Sequence, residues 1–388
     1  MSNHRFYRKK RTWLKKILPT HSEPKRADYI LVGLIFFILI FGLAALSSAS
    51  SVVSFRDYGN TYHLFFRQLR NGLIPGLILF FILARINYQH WLRYTVFFFV
   101  LAILLLLAIF VPGLGTSYDT GARSWLNLGG ISFQPAETIK LLLILSLAGW
   151  FGQRPKEMNQ NFWNGLVPFV AILAIISLLI ILQPDYGSLF VILTIALSIY
   201  FVAGAAWRHL FGLIFAGLGL FGLLIAQAPY RAARLMTFLD PELDPEGIGY
   251  HINQAFLAIG SGGWLGLGFG QSRQKFAYLP EVIGDSIFAV IAEEIGFIFS
   301  AALIVVFLVL FFRGMKLAQA TQDEYARYLV VGIISWFTLQ AFLNIGGMLG
   351  LMPLTGIPLP FVSYGGTALM SALAAAGILV NISRQVKL

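Results

Sequence analysis

Residues 29–49 read YILVGLIFFILIFGLAALSSA, twenty-one positions without one charged side chain. Wound as an α-helix at 1.5 Å per residue, such a run spans the roughly 30 Å of a bilayer's hydrocarbon layer. Comparable runs occupy 91–111, 163–182, 187–204, 206–228, 286–312 and 360–382, and weaker ones, each broken by a charge, Gly or Pro, lie at about 71–87, 135–152 and 328–350. Backbone polar groups find no water in lipid, so spanning segments are helices or closed barrels. Barrel strands alternate polar and apolar residues over about ten positions, and these runs do not. Hydrophobic residues make up 58% of the chain and charged ones only 12%, more grease than a soluble core needs. The expected fold is an all-α integral membrane protein of about ten transmembrane helices.

Ahead of the first run, residues 1–27 form an arm with nine Lys and Arg. It is longer and more basic than a signal peptide, and the positive-inside rule puts it in the cytoplasm. Ten spans return Arg384 and Lys387 to that side, so both termini are expected to be cytoplasmic, with 28–388 forming one polytopic domain. The arm reads as a topology anchor drawn to anionic membrane lipid; nothing else in the chain suggests nucleic acid. There is no cysteine, which excludes disulfides, thiol catalysis and Cys-ligated metals. The six histidines show no metal-ligand spacing such as H-E-x-x-H.

Most connections are short, but residues 229–284 make one long loop, extracytoplasmic on this topology. It contains INQAFLAIG, which has helical potential, and the glycine run GSGGWLGLGFG. A dinucleotide site needs such glycines between a strand and a helix, a context missing here; tight turns and close backbone approach suffice. Its aromatic and Gly content argues for an ordered, functional loop. No internal repeat is apparent, which weakens the case for an inverted-repeat transporter.

Ionisable groups inside a membrane face cavities or partners, and four clusters need such an account. In GARSWLNLGGISFQPAETIK, Pro135 suits the first turn of a helix and Glu137 the positive end of its dipole. Lys140 shares a face with Glu137 at i+3; the pair is either a structural ion pair, or Lys140 joins Arg123 in holding an anionic head group. Asp185 in QPDYGS can cap the helix after it. Arg231 and Arg234 open the long loop, and Arg273 and Lys275 lie near its end, placing four cations on the outer surface. They either match phosphate oxygens or pair with Asp240, Glu242, Asp244 and Glu246. In YLPEVIGDSIFAVIAEEIG, residues 278–296, Glu281 and Asp285 are four apart, and a helical turn starting near Pro280 would project both from one face. Neighbouring carboxylates repel, raising the pKa of one towards that of a general base. Asp285 could equally cap the helix, and a proton or cation path would use the same acids. Glu293 and Glu294, two turns deeper, need partners of their own.

With these motifs in this order, the chain after the arm resembles the SEDS family (shape, elongation, division and sporulation) of glycosyltransferases. The matching stretches are GARSWLNLGGISFQPAETIK, QPDYGS, YRAARLMTFLDP, GYHINQAFLAIGSGGWLGLGFG, QKFAYLPEVIGDSIFAVIAEEIGF and GIPLPFVSYGGTALM. YRAAR and GQSRQKFAYLPE lean towards the division branch, FtsW, and GIPLPFVSYGG towards the elongation branch, RodA; FtsW-like is the first choice. The resemblance implies ten helices and polymerisation of lipid II into peptidoglycan glycan strands at the outer face of the bacterial cytoplasmic membrane. It implies Asp285 as general base in an inverting transfer. Arg123, Lys140, Arg231, Arg234, Lys275 and Glu281 become substrate-binding candidates, and Glu137, Asp185 and Ser286 supporting ones. Where the family commonly shows Thr-Asp-Phe this chain has Gly284-Asp285-Ser286, so the neighbour supplying a hydroxyl differs and Ser286 is the candidate substitute. A divalent cation, magnesium or manganese, would suit a leaving pyrophosphate, though no metal spacing is diagnostic. A class B penicillin-binding protein is the implied partner. The alternative function is translocation of the lipid-linked precursor.

Overall fold

The computed structural model describes residues 26–386, apart from 118–122, 130, 227–235, 237, 241–246 and 248. Ten apolar helices account for the expected spans: α1 Tyr29–Ala49, α2 His63–Leu83, α3 Tyr88–Ala108, α4 Pro135–Gly152, α5 Phe162–Ile181, α6 Tyr186–Val202, α7 Trp207–Ala226, α9 Ile287–Ala320, α10 Glu324–Met348 and α11 Gly366–Ser383. A further helix, α8 Tyr250–Gly262, lies within the long loop and contains INQAFLAIG. The core sits around α4, α10 and α11, each more than four-fifths buried, while α2, α3 and α5 show most of their surface to lipid.

Local chemistry explains the ends of these elements. The Asp28 carboxylate accepts from the backbone N–H groups of Ile30 and Leu31 at 3.1 and 3.3 Å, capping α1. The same carboxylate pairs with Arg313 at 2.7 Å, and its backbone N–H donates to Ser383 at 3.2 Å. The start of α1 and the end of α11 therefore lie together, as an even number of crossings requires. In α2 and α5 a single π turn (Leu69–Leu73, Phe162–Leu166) precedes a proline, Pro75 and Pro168, whose ring removes an N–H from the helical ladder.

Three segments differ from expectation. Residues 115–133 form a small antiparallel sheet, β1 Gly115–Ser117, β2 Arg123–Leu128 and β3 Ile131–Phe133, in the order β1-β2-β3. Leu128 pairs with Ile131, and Gly129 has φ +61°, a conformation that favours glycine. The run 360–382 begins its helix only at Gly366: 353–359 has no regular structure, and after Pro358 and Pro360 the chain makes a turn over 360–362, where Phe361 has φ +65°.

The third is α9, whose 34 residues would measure about 51 Å if straight. It breaks at Gly296 (φ 77°, ψ −178°) into an almost wholly buried half and a longer, lipid-facing half. The glycine run 262–268 lies against the break. Leu267 and Gly268 donate to the carbonyls of Glu293 and Glu294 at 3.0 Å, and Phe297 and Ile298 donate to Gly263 and Trp264 at 2.8 and 3.3 Å. A Cβ on Gly266 would stand 2.2 Å from the Glu294 carbonyl oxygen, so close backbone approach accounts for glycine there. Non-helical backbone at membrane depth survives only when protein satisfies it, which this pairing does.

Candidate active site

Asp285 lies on the turn 281–286 that leads into α9, at the end of the bundle opposite the paired ends of α1 and α11. Two elements grip this turn from the α10–α11 side. Asn344 Nδ2 donates to the Asp285 carbonyl at 2.7 Å and to the Ile357 carbonyl at 2.8 Å. Ser363 Oγ donates to the Gly284 carbonyl at 2.6 Å, and the Tyr364 N–H to the Ile283 carbonyl at 2.8 Å. The turn is thus sewn to GIPLPFVSYGG, and Gly356 leaves room beside the carboxylate: a Cβ there would be 3.9 Å from Asp285 Oδ2. The side chain itself is half-buried. Ser286, fully buried, donates its hydroxyl to Asp285 Oδ1 at 3.4 Å and meets His251 Nε2 at 2.6 Å.

The expected shared helical face of Glu281 and Asp285 is not formed. Residues 281–286 are a turn, Glu281 is exposed with φ +50°, and its carbonyl accepts from Gly284 and Ser286. Nor does Asp285 cap α9; Ser286 holds the N-cap position, without a side-chain cap. A left-handed residue and a glycine within four positions stop a helix from starting at Pro280.

The other candidates fall into two neighbourhoods. Lys140, with no exposed surface, bonds Glu137 Oε1 at 2.6 Å and Gln340 Oε1 at 2.7 Å, and lies 5.5 Å from the Trp336 ring centre. Gln340 Nε2 then donates to the Pro358 carbonyl at 2.7 Å, joining this pair to the segment beside Asp285. Asp185 caps α6, accepting from Ser188 N–H at 3.0 Å, as its position suggested. The start of α6 touches the same segment: a Cβ on Gly187 would lie 2.4 Å from the Thr355 carbonyl oxygen.

Lys275 belongs elsewhere. Expected on the outer surface, it is 2% exposed, and its ammonium donates to Glu294 at 2.9 Å, Gly270 O at 2.8 Å and Ser48 at 3.0 Å. All three N–H bonds are engaged. Glu293 accepts from the Arg273 N–H at 2.9 Å, the Gln274 N–H at 3.3 Å and the Ser272 hydroxyl. These are the partners that Glu293 and Glu294 required. The Arg123 backbone is on β2, paired with Ser117. Arg231, Arg234, Glu242, Asp244, Glu246, most of the basic arm and Lys387 lie outside the described residues.

Nothing in the spacing singled out His251, Gln340, Asn344 or Ser363. The available signal was polarity in apolar surroundings: Gln340 and Asn344 share a face of α10 at i, i+4, inside the bundle. Among the described residues no group of three or more His, Cys, Asp or Glu is placed to hold a metal ion.

Known proteins are similar to this chain in sequence and in fold. The profile of the FtsW/RodA/SpoVE family, described as "Cell cycle protein", matches residues 29–388. Stage V sporulation protein E of Bacillus subtilis is 39% identical over 357 residues, 92% of this chain and 97% of that protein. The "Probable peptidoglycan glycosyltransferase FtsW" of Legionella pneumophila is 36% identical over 361 residues, 92% of this chain and 91% of that protein. Among solved structures, a chain of a peptidoglycan synthase complex superposes with a TM-score of 0.77 at 31% identity, covering 92% of this chain and 98% of that one. Thermus thermophilus rod shape determining protein RodA gives 0.68 at 29% identity, covering 93% and 97%. The chain is a multi-pass membrane protein and belongs to the FtsW/RodA/SpoVE family.

Proposed function

We propose that this chain is a peptidoglycan glycosyltransferase of the bacterial inner membrane that polymerises lipid II, with Asp285 as its general base. The observation that carries the reading is the support of Asp285. Its backbone is fixed by Asn344 and Ser363 through the 353–365 segment, while its carboxylate stays partly open at one end of the bundle. Proton transfer demands such fixed geometry before anything else.

In the reaction Asp285 takes the proton of the acceptor sugar's 4-hydroxyl as that oxygen bonds to the donor's anomeric carbon. The bond from that carbon to undecaprenyl pyrophosphate breaks, and the configuration inverts. Charge growing on the leaving pyrophosphate needs cations; Arg123, Arg231 and Arg234 are the candidates. Lys140 and Lys275 are committed to Glu137 and Glu294, so their part is to hold the walls of the site, with Lys140 reaching the 353–365 segment through Gln340. Asp185 and Ser286 support in the same sense, and Glu281 is an exposed group at the mouth. No step is routed through a metal ion. With both termini cytoplasmic, Asp285 faces outward, where lipid II is presented. A class B penicillin-binding protein is the transpeptidase partner, in keeping with the likeness to a chain of a peptidoglycan synthase complex.

The test is polymerisation of labelled lipid II by the purified chain with its transpeptidase. Asp285→Asn and Asp285→Ala are expected to lower the rate by at least about 100-fold while the fold is kept. Wild-type-like glycan ladders from Asp285→Asn would remove Asp285 from its role. An inactive wild type with its partner would move translocation to the front.

A further inference from the structure

One hydrogen-bonded chain at the site is not needed for the reaction as written. His251 stands in the first turn of α8, and Ser286 at the N-cap of α9. The two helices run side by side in the same direction, touching closely enough that a Cβ on Gly262 would lie 2.1 Å from the Ala292 carbonyl oxygen. That contact pins the end of α8 to the second turn of α9, and at the two starts His251 Nε2 meets Ser286 Oγ at 2.6 Å. Ser286 has no exposed surface, while its neighbours His251 and Asp285 are each half-buried, on either side of it. A buried hydroxyl between an imidazole and a carboxylate is both donor and acceptor, and so is able to pass a proton from one to the other.

We propose that His251, acting through Ser286, carries away the proton that Asp285 takes from the acceptor hydroxyl. The inference rests on the reading of Asp285 as base. After the glycosidic bond forms, Asp285 holds the proton beneath the new strand, where its open edge is covered. It gives the proton to Ser286 Oγ, the Ser286 hydroxyl proton passes to His251 Nε2, the imidazolium releases its Nδ1 proton to water, and exchange with water moves the remaining proton from Nε2 to Nδ1, so that Nε2 is again an acceptor. Asp285 is a carboxylate again, Ser286 a hydroxyl and His251 neutral, with nothing oxidised or reduced. His251 is thus a positioning and relay residue that does not touch substrate, and imidazole is the side-chain type suited to carrying protons near neutral pH.

The experiment measures polymerisation of labelled lipid II by the full chain with its transpeptidase, separating kcat from KM. The variants are His251→Ala, His251→Gln, Ser286→Ala and Asp285→Asn, each checked for folding by thermal unfolding in detergent. His251→Ala is expected to lower kcat by about 100-fold with KM within about twofold, in the range that proton-transfer assistance contributes. Imidazole added to His251→Ala should restore turnover in proportion to its concentration, but not in Ser286→Ala. His251→Gln donates a hydrogen bond without carrying a proton, so it should stay as slow as His251→Ala. Wild-type turnover in His251→Gln would reduce His251 to a brace and overturn the relay, as would a loss in His251→Ala that imidazole does not repair. If Asp285→Asn is inactive while the His251 variants are normal, only the relay falls; if Asp285→Asn is active, the base assignment falls and takes the relay with it.

Discussion

At the end of the bundle that carries Asp285, two ion pairs lie almost completely out of water: Lys140–Glu137 at 0% and 2% side-chain exposure, and Lys275–Glu294 at 3% and 4%. At the opposite end Lys156–Glu324 is 47% and 35% exposed. The distances are similar, from 2.6 to 3.0 Å, but the physics is not. A buried pair gives up hydration that its Coulomb attraction barely repays, whereas removing one partner leaves a bare charge. An exposed pair keeps its water and contributes little either way. These pairs therefore use charge differently: the exposed one for solubility at a helix start, the buried two to lock loops into a single arrangement around a carboxylate.

Four substitutions sharpen or break this contrast. Glu294→Ala strands the Lys275 ammonium and is expected to cost about 3–5 kcal/mol, read as a fall in thermal unfolding temperature in detergent. Lys275→Ala made on top of it should recover part of that loss. A Glu294→Ala variant as stable as wild type would mean that the pair locks nothing. Gly266→Ala comes next, at about 1–3 kcal/mol, because its methyl meets the Glu294 carbonyl and φ is +82°. Its further signature is faster proteolysis of the 263–278 segment; unchanged cleavage would show that the stitch across the α9 break does not hold the loop. Lys156→Ala should cost less than about 1 kcal/mol and become smaller still in high salt. A loss matching that of Glu294→Ala would erase the difference between the pairs.

The limits of what was legible follow the same division between local and distant contacts. The span Pro135–Gly152 was read to the residue, since a proline marks its start and hydropathy its body. For α9 the buried half was visible only as hydropathy, and its extension to Ala320 and break at Gly296 depend on a loop partner some thirty residues earlier. Residues 360–365 are apolar enough to pass for the start of a span, and Pro353, Pro358 and Pro360 were the overlooked signal. Capping by Asp185 is a contact over three residues and was foreseen. His251 meets Ser286 across 35 residues, and Asn344 reaches Asp285 across 59, separations at which no pattern in the chain points to a partner. Asp285 itself stood out through family resemblance; the spacing to Glu281, which had suggested a coupled carboxylate pair, corresponds to no helical turn.

The ring of bonds around Glu294 also has a history in time. Lys275 and Glu294 are 19 residues apart, but Ser48, which donates to the same carboxylate, precedes it by 246. At synthesis rates of about 5–20 residues per second, the two charges emerge within about 1–4 s of each other, while the hydroxyl waits about 12–50 s. The nascent chain thus keeps in store a group that costs little to leave alone in a membrane, and makes the two expensive ones almost together.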